Sequence, residues 1–155
     1  MNKEQLINLV SVKLKLVRTE RNYTQEKMAE VIGLSKKTLV QIEKGRISAG
    51  WTTTAAVCAI FRNSDTLQSA LGGDPVEMVE LTAHDTITRS SRDKTTGGHL
   101  WWRDVDQQNG FRLQQNVISS HYRVLDSEDY RLFSTYDAAE AEEHFQDYIR
   151  QDESE

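Results

Sequence analysis

The chain is 155 residues long, which suits one domain or two small ones, and 37% of its residues are hydrophobic. No apolar run approaches the ~20 residues that a membrane-spanning helix needs, so no membrane partner is expected. A single cysteine, Cys58, excludes an internal disulfide framework and is typical of a reducing compartment, so we expect a cytoplasmic protein.

The formal charge of −5 is unevenly distributed along the chain. Residues 1–75 carry a net charge of +4, and residues 76–155 carry a net charge of −9. Such an asymmetry indicates two parts with different partners. The sign of the net charge of each part suggests that only the first part contacts a polyanion.

Residues 1–75 carry the pattern of an all-helical domain with five helices. The first, over residues 3–21, has one apolar face with spacings of three and four, formed by Leu6, Ile7, Val10, Leu14 and Val17. Thr24 follows an interruption in this pattern and can cap the second helix, in which Met28 and Ala29 lie on the apolar side.

A turn then joins the second helix to a third. Gly33 can take the left-handed conformation that ends a helix, and Ser35 can cap the next one. In the third helix Leu39 and Ile42 point together to the core. The opposite side carries Lys37, Val40, Gln41 and Lys44, with Lys36 at its edge. Such residues can either be ordinary solvated surface or face a DNA major groove, because lysine pairs with guanine, glutamine with adenine and valine with a thymine methyl group.

Residues 23–46, YTQEKMAEVIGLSKKTLVQIEKGR, resemble the helix-turn-helix of the λ- and 434-repressor class, also called XRE-type. The matching positions are Thr24, Gln25, Ala29, Gly33, Ser35, Leu39, Ile42, Glu43 and Gly45. The resemblance is dense over residues 18–46 and looser over about 5–72. It implies a five-helix λ-repressor-like fold and sequence-specific binding of double-stranded DNA.

The resemblance also implies roles for individual residues. The resemblance gives base-reading roles to Lys36, Lys37 and Gln41, on a helix predicted at residues 35–45, and we add Val40 from its place on the same helix face. The phosphate-binding residues are Thr24, Gln25, Lys44 and Arg46. Arg18 and Glu43 match a pair that forms an internal salt bridge in some relatives, so we interpret both as structural residues.

The remainder of this domain departs from the family pattern in one respect. Many relatives have a proline soon after the position of Gly45, and this chain has none there. A fourth helix is still expected over the apolar run that contains Cys58, which we interpret as a core residue. Ser64 can cap a fifth helix, and the pair Gly72–Gly73 can end it.

Beyond residue 75 the composition changes twice. We interpret residues 76–98 as a linker, since 86–98 are rich in Thr, Ser, Arg and Gly. Residues 99–150 predict a small α+β module of four antiparallel strands and a final helix, with Asn109–Gly110 as a hairpin turn and Asp137 as a helix cap. Residues 151–155 are expected to be a disordered tail. The fold class is therefore α+β.

The second module contains six aromatic residues that fit a sheet core, although a dimer face or a ligand site is also open. They are Trp101, Trp102, Phe111, Tyr122, Tyr130 and Phe133. This part of the chain resembles no family. Its negative charge favours dimerisation, sensing or protein docking over contact with nucleic acid.

No catalytic pattern is found, and neither an enzyme activity nor a cofactor is expected. The four histidines have no metal-ligand spacing among themselves or with Cys58, and no P-loop or GxSxG motif occurs. Some relatives cleave themselves with a serine activated by a downstream lysine. Here Lys94 is the only lysine after Lys44, and it lies in the predicted linker, which excludes that route.

The sequence therefore predicts a transcriptional regulator, typically a repressor, that binds an inverted-repeat operator as a homodimer. The predicted dimer contact is the second module, with the fifth helix as the competing surface. An alternative is an antitoxin-like interaction protein whose acidic half binds a partner protein. A third hypothesis is a regulator with a small-molecule effector at the second module.

Overall fold

The computed structural model describes residues 1–88 and 100–155, and the chain divides into two compact units, Asn2–Val79 and Glu80–Glu155. The first unit contains five helices: α1 Lys3–Glu20, α2 Gln25–Ile32, α3 Lys36–Glu43, α4 Trp51–Ile60 and α5 Asp65–Leu71. A further helix, α6 Pro75–His84, contains the boundary between the units. The predicted helical N-terminal region is confirmed.

Helix α1 is the longest element of the first unit and forms one wall of its core. Asn2 caps it, because its side chain accepts a hydrogen bond from the Gln5 backbone N–H at 2.9 Å while the Gln5 side chain accepts from the Asn2 backbone. The buried face of α1 consists of Leu6, Val10, Ser11, Leu14 and Val17. This face packs against α3, α4 and α5.

Cys58 lies in α4 with no solvent exposure, which confirms its interpretation as a core residue. Burial raises the pKa of its thiol to about 12. The thiol is therefore protonated at neutral pH and is a poor nucleophile.

Helix α5 begins at a cap that also holds a carboxylate. The Ser64 hydroxyl accepts from the Leu67 backbone N–H at 3.2 Å and donates to Glu20 Oε2 at 2.5 Å. The hydrogen bond from Ser64 holds the pKa of Glu20 below its ordinary value of 4.5. Because the folded state favours the ionised carboxylate, the stabilisation is fully present above pH 4.5 and is lost as the pH falls through the lowered pKa.

We expect Glu20→Gln to destabilise the protein at neutral pH by about 0.5–1.5 kcal/mol, because glutamine offers one neutral acceptor in place of the two carboxylate oxygens that accept from Ser64 and Thr66. At pH 3 the difference from the wild type should be smaller, since pH 3 lies below the ordinary pKa of 4.5, so the unfolded chain takes up the proton. Urea unfolding at both pH values measures this. Glu30→Gln, an exposed carboxylate of α2, is the matched control. A destabilisation by Glu20→Gln that is the same at both pH values would contradict the prediction.

The second unit contains one antiparallel sheet and one long helix. Its strands are β1 Thr86–Thr88, β2 Trp102–Gln108, β3 Phe111–Asn116, β4 Tyr122–Leu125 and β5 Arg131–Thr135, followed by helix α7 Ala138–Glu153. The strand order is β1-β5-β4-β3-β2. Asn109 and Gly110, with φ angles of 53° and 83°, form the predicted turn between β2 and β3. The α+β class is confirmed.

Two parts of the predicted organisation differ from the structure. The sequence predicts a linker over residues 76–98, but α6 occupies that range as far as His84, and Thr86–Thr88 form β1, which makes a fifth strand against β5. The rest of that range, residues 89–98, lies outside the described residues. The predicted disordered tail is also helical as far as Glu153, where Asn109 donates to Glu153 at 2.9 Å.

Helix α7 covers one face of the sheet. Its cap is Asp137, which accepts from the Glu140 backbone N–H at 3.0 Å. The hydrophobic core between helix and sheet consists of Leu113, Val124, Phe133, Ala141, Phe145 and Ile149. Of the six aromatic residues singled out above, Phe133 belongs to this core, and Phe111 and Tyr122 pack at its margin.

The opposite face of the sheet is polar and also buried. Gln114 alternates with Leu113 along β3, so it points away from α7, and it is paired with Arg123 of β4. Arg123 Nε donates to Gln114 Oε1 at 2.8 Å, and its guanidinium lies 3.8 Å from the ring centroid of Trp102. Trp102 is therefore an aromatic platform for a cation, and not part of the core under α7.

Candidate nucleic-acid interface

Helices α2 and α3 meet at a turn whose geometry follows from three residues. Gly33 ends α2 in the left-handed conformation, with a φ of 89° that few side chains tolerate. The backbone N–H groups of Gly33 and Leu34 both donate to Ala29 O at 2.8 Å. Ser35 begins α3 by accepting from the Thr38 backbone N–H at 3.1 Å. The turn is thus satisfied by local hydrogen bonds.

Packing decides which side of α3 faces out. Leu39 is fully buried and Ile42 is 3% exposed, so this side of the helix faces the core. At 100° per residue, the four positions Lys37, Val40, Gln41 and Lys44 fall on the other side, and Lys36 lies at its margin. The lysines are exposed, while Val40 and Gln41 are half-buried. The predicted base-reading residues therefore share one accessible helix face.

A hydrogen-bonded network anchors the end of α3. Arg18 Nε donates to Glu43 Oε1 at 2.5 Å, so the structure contains the ion pair that the resemblance implied. Glu43 also accepts from Gln25 Nε2 at 2.7 Å, and Arg18 Nη1 donates to Tyr23 O at 3.0 Å. The side chains of Arg18 and Glu43 are 13% and 4% exposed, so the network is largely shielded from water. It ties α1, α2 and α3 together.

The residues predicted to hold phosphates lie at helix ends. The Thr24 hydroxyl accepts from the Lys27 backbone N–H at 3.1 Å as the cap of α2, and it also donates a hydrogen bond to the Glu26 side chain. The Gln25 amide gives one of its two N–H groups to Glu43, which leaves a second one for a phosphate oxygen. Lys44 and Arg46 are exposed just after α3, with Arg46 Nη1 3.5 Å from Gln41 Oε1.

The sequence did not predict an ion pair that bridges the two helices. Lys36 Nζ lies 2.5 Å from Glu26 Oε1, and both side chains are more than half exposed. The hydrogen bond from Lys36 lowers the pKa of Glu26, so this carboxylate is ionised at neutral pH. In the sequence, the pair is visible only as two opposite charges, one near the start of each helix. Because a turn separates the two helices, a spacing of ten residues does not predict whether the two side chains meet.

Within residues 1–88 and 100–155, no group of three or more His, Cys, Asp or Glu side chains could hold a metal ion. No helix in the same residues is long and apolar enough to cross a membrane.

Comparison with known families identifies the first unit. Residues 14–50 match the family model described as Helix-turn-helix, which spans the C-terminal part of α1 from Leu14 onward, α2, the turn and α3. No curated protein and no solved structure matches the chain. The match supports the recognition of a helix-turn-helix of the λ-repressor-like, XRE kind over residues 14–50, and with it a DNA-binding transcription regulator.

Proposed function

We propose that this helix-turn-helix protein binds double-stranded DNA sequence-specifically, with α3 in the major groove. The observation that carries the proposal is the outer face of α3, which presents an amide, an aliphatic group and several ammonium groups on a helix braced from behind. The residues proposed to read bases are Lys36, Lys37, Val40 and Gln41. Those proposed to hold phosphates are Thr24, Gln25, Lys44 and Arg46.

Positioning and reading are separate tasks in this arrangement. Donors at the start of α2 and after the end of α3 would hold the backbone on either side of the groove, which sets the register of α3. Lysine can then donate to guanine O6 and N7, and glutamine can pair with adenine. Because the network of Arg18, Gln25 and Glu43 joins both helices, the phosphate contacts and the reading face would move as one body.

We expect Lys37→Ala and Gln41→Ala each to weaken binding to the preferred site by about 1–3 kcal/mol and to relax the preference at one base pair. The measurement is fluorescence anisotropy on the preferred duplex and on a duplex scrambled at that position. Lys15→Ala, an exposed lysine of α1, is the charge-matched control for Lys37→Ala. Equal losses on both duplexes would mean that the two residues supply only charge or contact area.

A single module reads only a few base pairs, so we propose a homodimer on an inverted repeat. We propose the second unit as the dimer contact, with α5 as the competing surface. Three large apolar residues near the start of β2 and the end of β3 are exposed in this unit. They are Leu100, Val117 and Ile118, whose exposed fractions are 80%, 61% and 39%. Helix α5, the competing surface, has both its leucines, Leu67 and Leu71, buried in its own unit.

Selection from a random duplex library with the full-length protein at near-physiological salt tests the whole proposal. An enriched inverted repeat would support a dimeric, base-reading regulator, and its half-site spacing should be about one helical turn. An enriched single half-site would contradict the dimer. Binding without any enriched motif, lost as salt rises, would contradict base reading altogether.

A second candidate function is the capture of a basic protein partner by the second unit. The exposed side of α7 carries Glu142 and Glu143, and its last turns add Asp152 and Glu153. Such a surface repels nucleic acid and attracts a cationic protein. Co-purification of one stoichiometric partner with the full-length chain, lost when these four residues are neutralised, would support this function.

A further inference from the structure

We propose that Glu26 is a specificity-determining residue, which acts with Lys36 as one reading unit for a G·C base pair. The inference rests on the proposed DNA-binding function and extends it to a residue that the reading face does not include. Its basis is the ion pair between Lys36 Nζ and Glu26 Oε1 at 2.5 Å, which joins the first turns of α2 and α3.

The pair contributes little to folding, so it is free to act in recognition. The side chains of Lys36 and Glu26 are 54% and 62% exposed. Exposed ion pairs are worth little to stability, because water solvates both charges well and two long side chains lose freedom. A ligand that offers an acceptor to Lys36 and a donor to Glu26 can therefore replace or share this contact. Because the pair adds little stability, the Glu26→Gln variant should fold normally.

The chemistry of the pair matches the major-groove edge of one G·C pair. Guanine presents two neighbouring acceptors there, N7 and O6, and cytosine presents the N4 amino donor beside them. Guanine O6 and cytosine N4 are hydrogen-bonded to each other, so they lie about 3 Å apart. An ammonium and a carboxylate 2.5 Å apart can meet these groups together, with Lys36 on guanine and Glu26 on cytosine.

The other base pairs fit less well. In an A·T pair the two acceptors, adenine N7 and thymine O4, lie on either side of the adenine amino donor. The Lys36 ammonium therefore cannot bridge both acceptors while the Glu26 carboxylate accepts from the amino group. Glu26 also opposes unspecific binding, because it lies next to Gln25, where a phosphate is proposed to sit, and two anions repel. The Glu26 carboxylate thus favours sites at which a cytosine amino group donates a hydrogen bond to it and offsets its repulsion from the phosphates.

The test repeats the duplex selection with the wild type, Glu26→Gln and Glu30→Gln. Glu30 is an exposed carboxylate one turn further along α2, so its variant makes the same change in charge away from Lys36. We expect the wild type and Glu30→Gln to enrich G·C at one position of each half-site. Glu26→Gln should lose that preference by about tenfold, within the range of one base-specific contact.

A second measurement separates reading from general repulsion. The affinities of the wild type, Glu26→Gln, Lys36→Ala and the double variant are compared on operators with G·C or A·T at that position. If the pair reads as a unit, Glu26→Gln should change the G·C preference much less once Lys36 is absent. Identical base preferences for Glu26→Gln and Glu30→Gln, or additive effects with Lys36→Ala, would overturn the inference. A wild type that enriches no motif would instead overturn the proposed function itself.

Discussion

Glu43→Ala is expected to destabilise the first unit by about 3–5 kcal/mol, the cost of removing one partner from a buried ion pair. Arg18 would keep its charge in a site where its side chain is only 13% exposed, and Gln25 would lose its acceptor. The donor groups of Arg18 and Gln25 would then lack an acceptor in a region that is largely shielded from water. Urea unfolding followed by circular dichroism measures the change.

Two comparisons make this expectation sharper. Arg62→Ala also breaks an ion pair, with Asp74, but the Arg62 side chain is 58% exposed, so a loss of only about 0–1 kcal/mol is expected. The double variant Arg18→Met and Glu43→Met removes both charges and should recover much of the stability lost in Glu43→Ala. If Glu43→Ala costs no more stability than Arg62→Ala, the network is not a structural anchor.

Glu43→Ala is also expected to weaken sequence-specific DNA binding. Without Glu43, Gln25 is released from α3, so the phosphate contact and the reading face would no longer be held in one geometry. At temperatures where Glu43→Ala remains folded, its affinity for the operator should fall more than its affinity for unrelated duplexes. This follows because base contacts depend on the register of α3, while charge attraction does not.

Phe145→Ala is expected to destabilise the second unit by about 3–5 kcal/mol. Phe145 is fully buried between α7 and the sheet, in the cluster that includes Phe133 and Leu113. Truncation removes most of a large side chain from a packed core and leaves a cavity that the sheet can only partly close. Thermal unfolding followed by tryptophan fluorescence reports on it, since Trp101 and Trp102 lie in this unit.

The matched control lies on the same helix. Glu142→Ala changes an exposed residue of α7, so its effect on stability should stay within about 0.5 kcal/mol. Phe145→Leu keeps much of the buried volume and should fall between the two variants. A Phe145→Ala variant that unfolds like the wild type would show that this core does not hold the second unit together.

Local signals made the helix-turn-helix and the hairpin predictable. Thr24 and Ser35 cap helices with their own side chains, and Gly33 ends α2 because it tolerates a φ of 89°. Asn109 and Gly110 likewise form a tight turn from their own conformational preferences. Each of these interactions spans a few residues, so the residue types alone indicate the structure.

Helix α6 was missed although a local signal existed. Asp74 accepts from the Val76 backbone N–H at 3.0 Å, and Pro75 occupies the first helical position, where it has no N–H to leave unsatisfied. Strand β1 had no comparable signal, because its three residues become a strand only by pairing with β5, more than forty residues later. Such a short segment depends on its neighbour for its conformation.

The sequence by itself determined the recognition module: its caps, its turn, the buried side of α3 and the five residues that face away from the core. The resemblance implied that Gln25 braces the recognition helix, and the structure identifies Glu43 as its partner. Only the tertiary structure decided that Glu26 meets Lys36 and that a polar layer with Trp102 lies behind the sheet. The physical reason is distance along the chain. Periodicity states which side of an element is buried, whereas the partner of an exposed or buried charge depends on how separate elements pack.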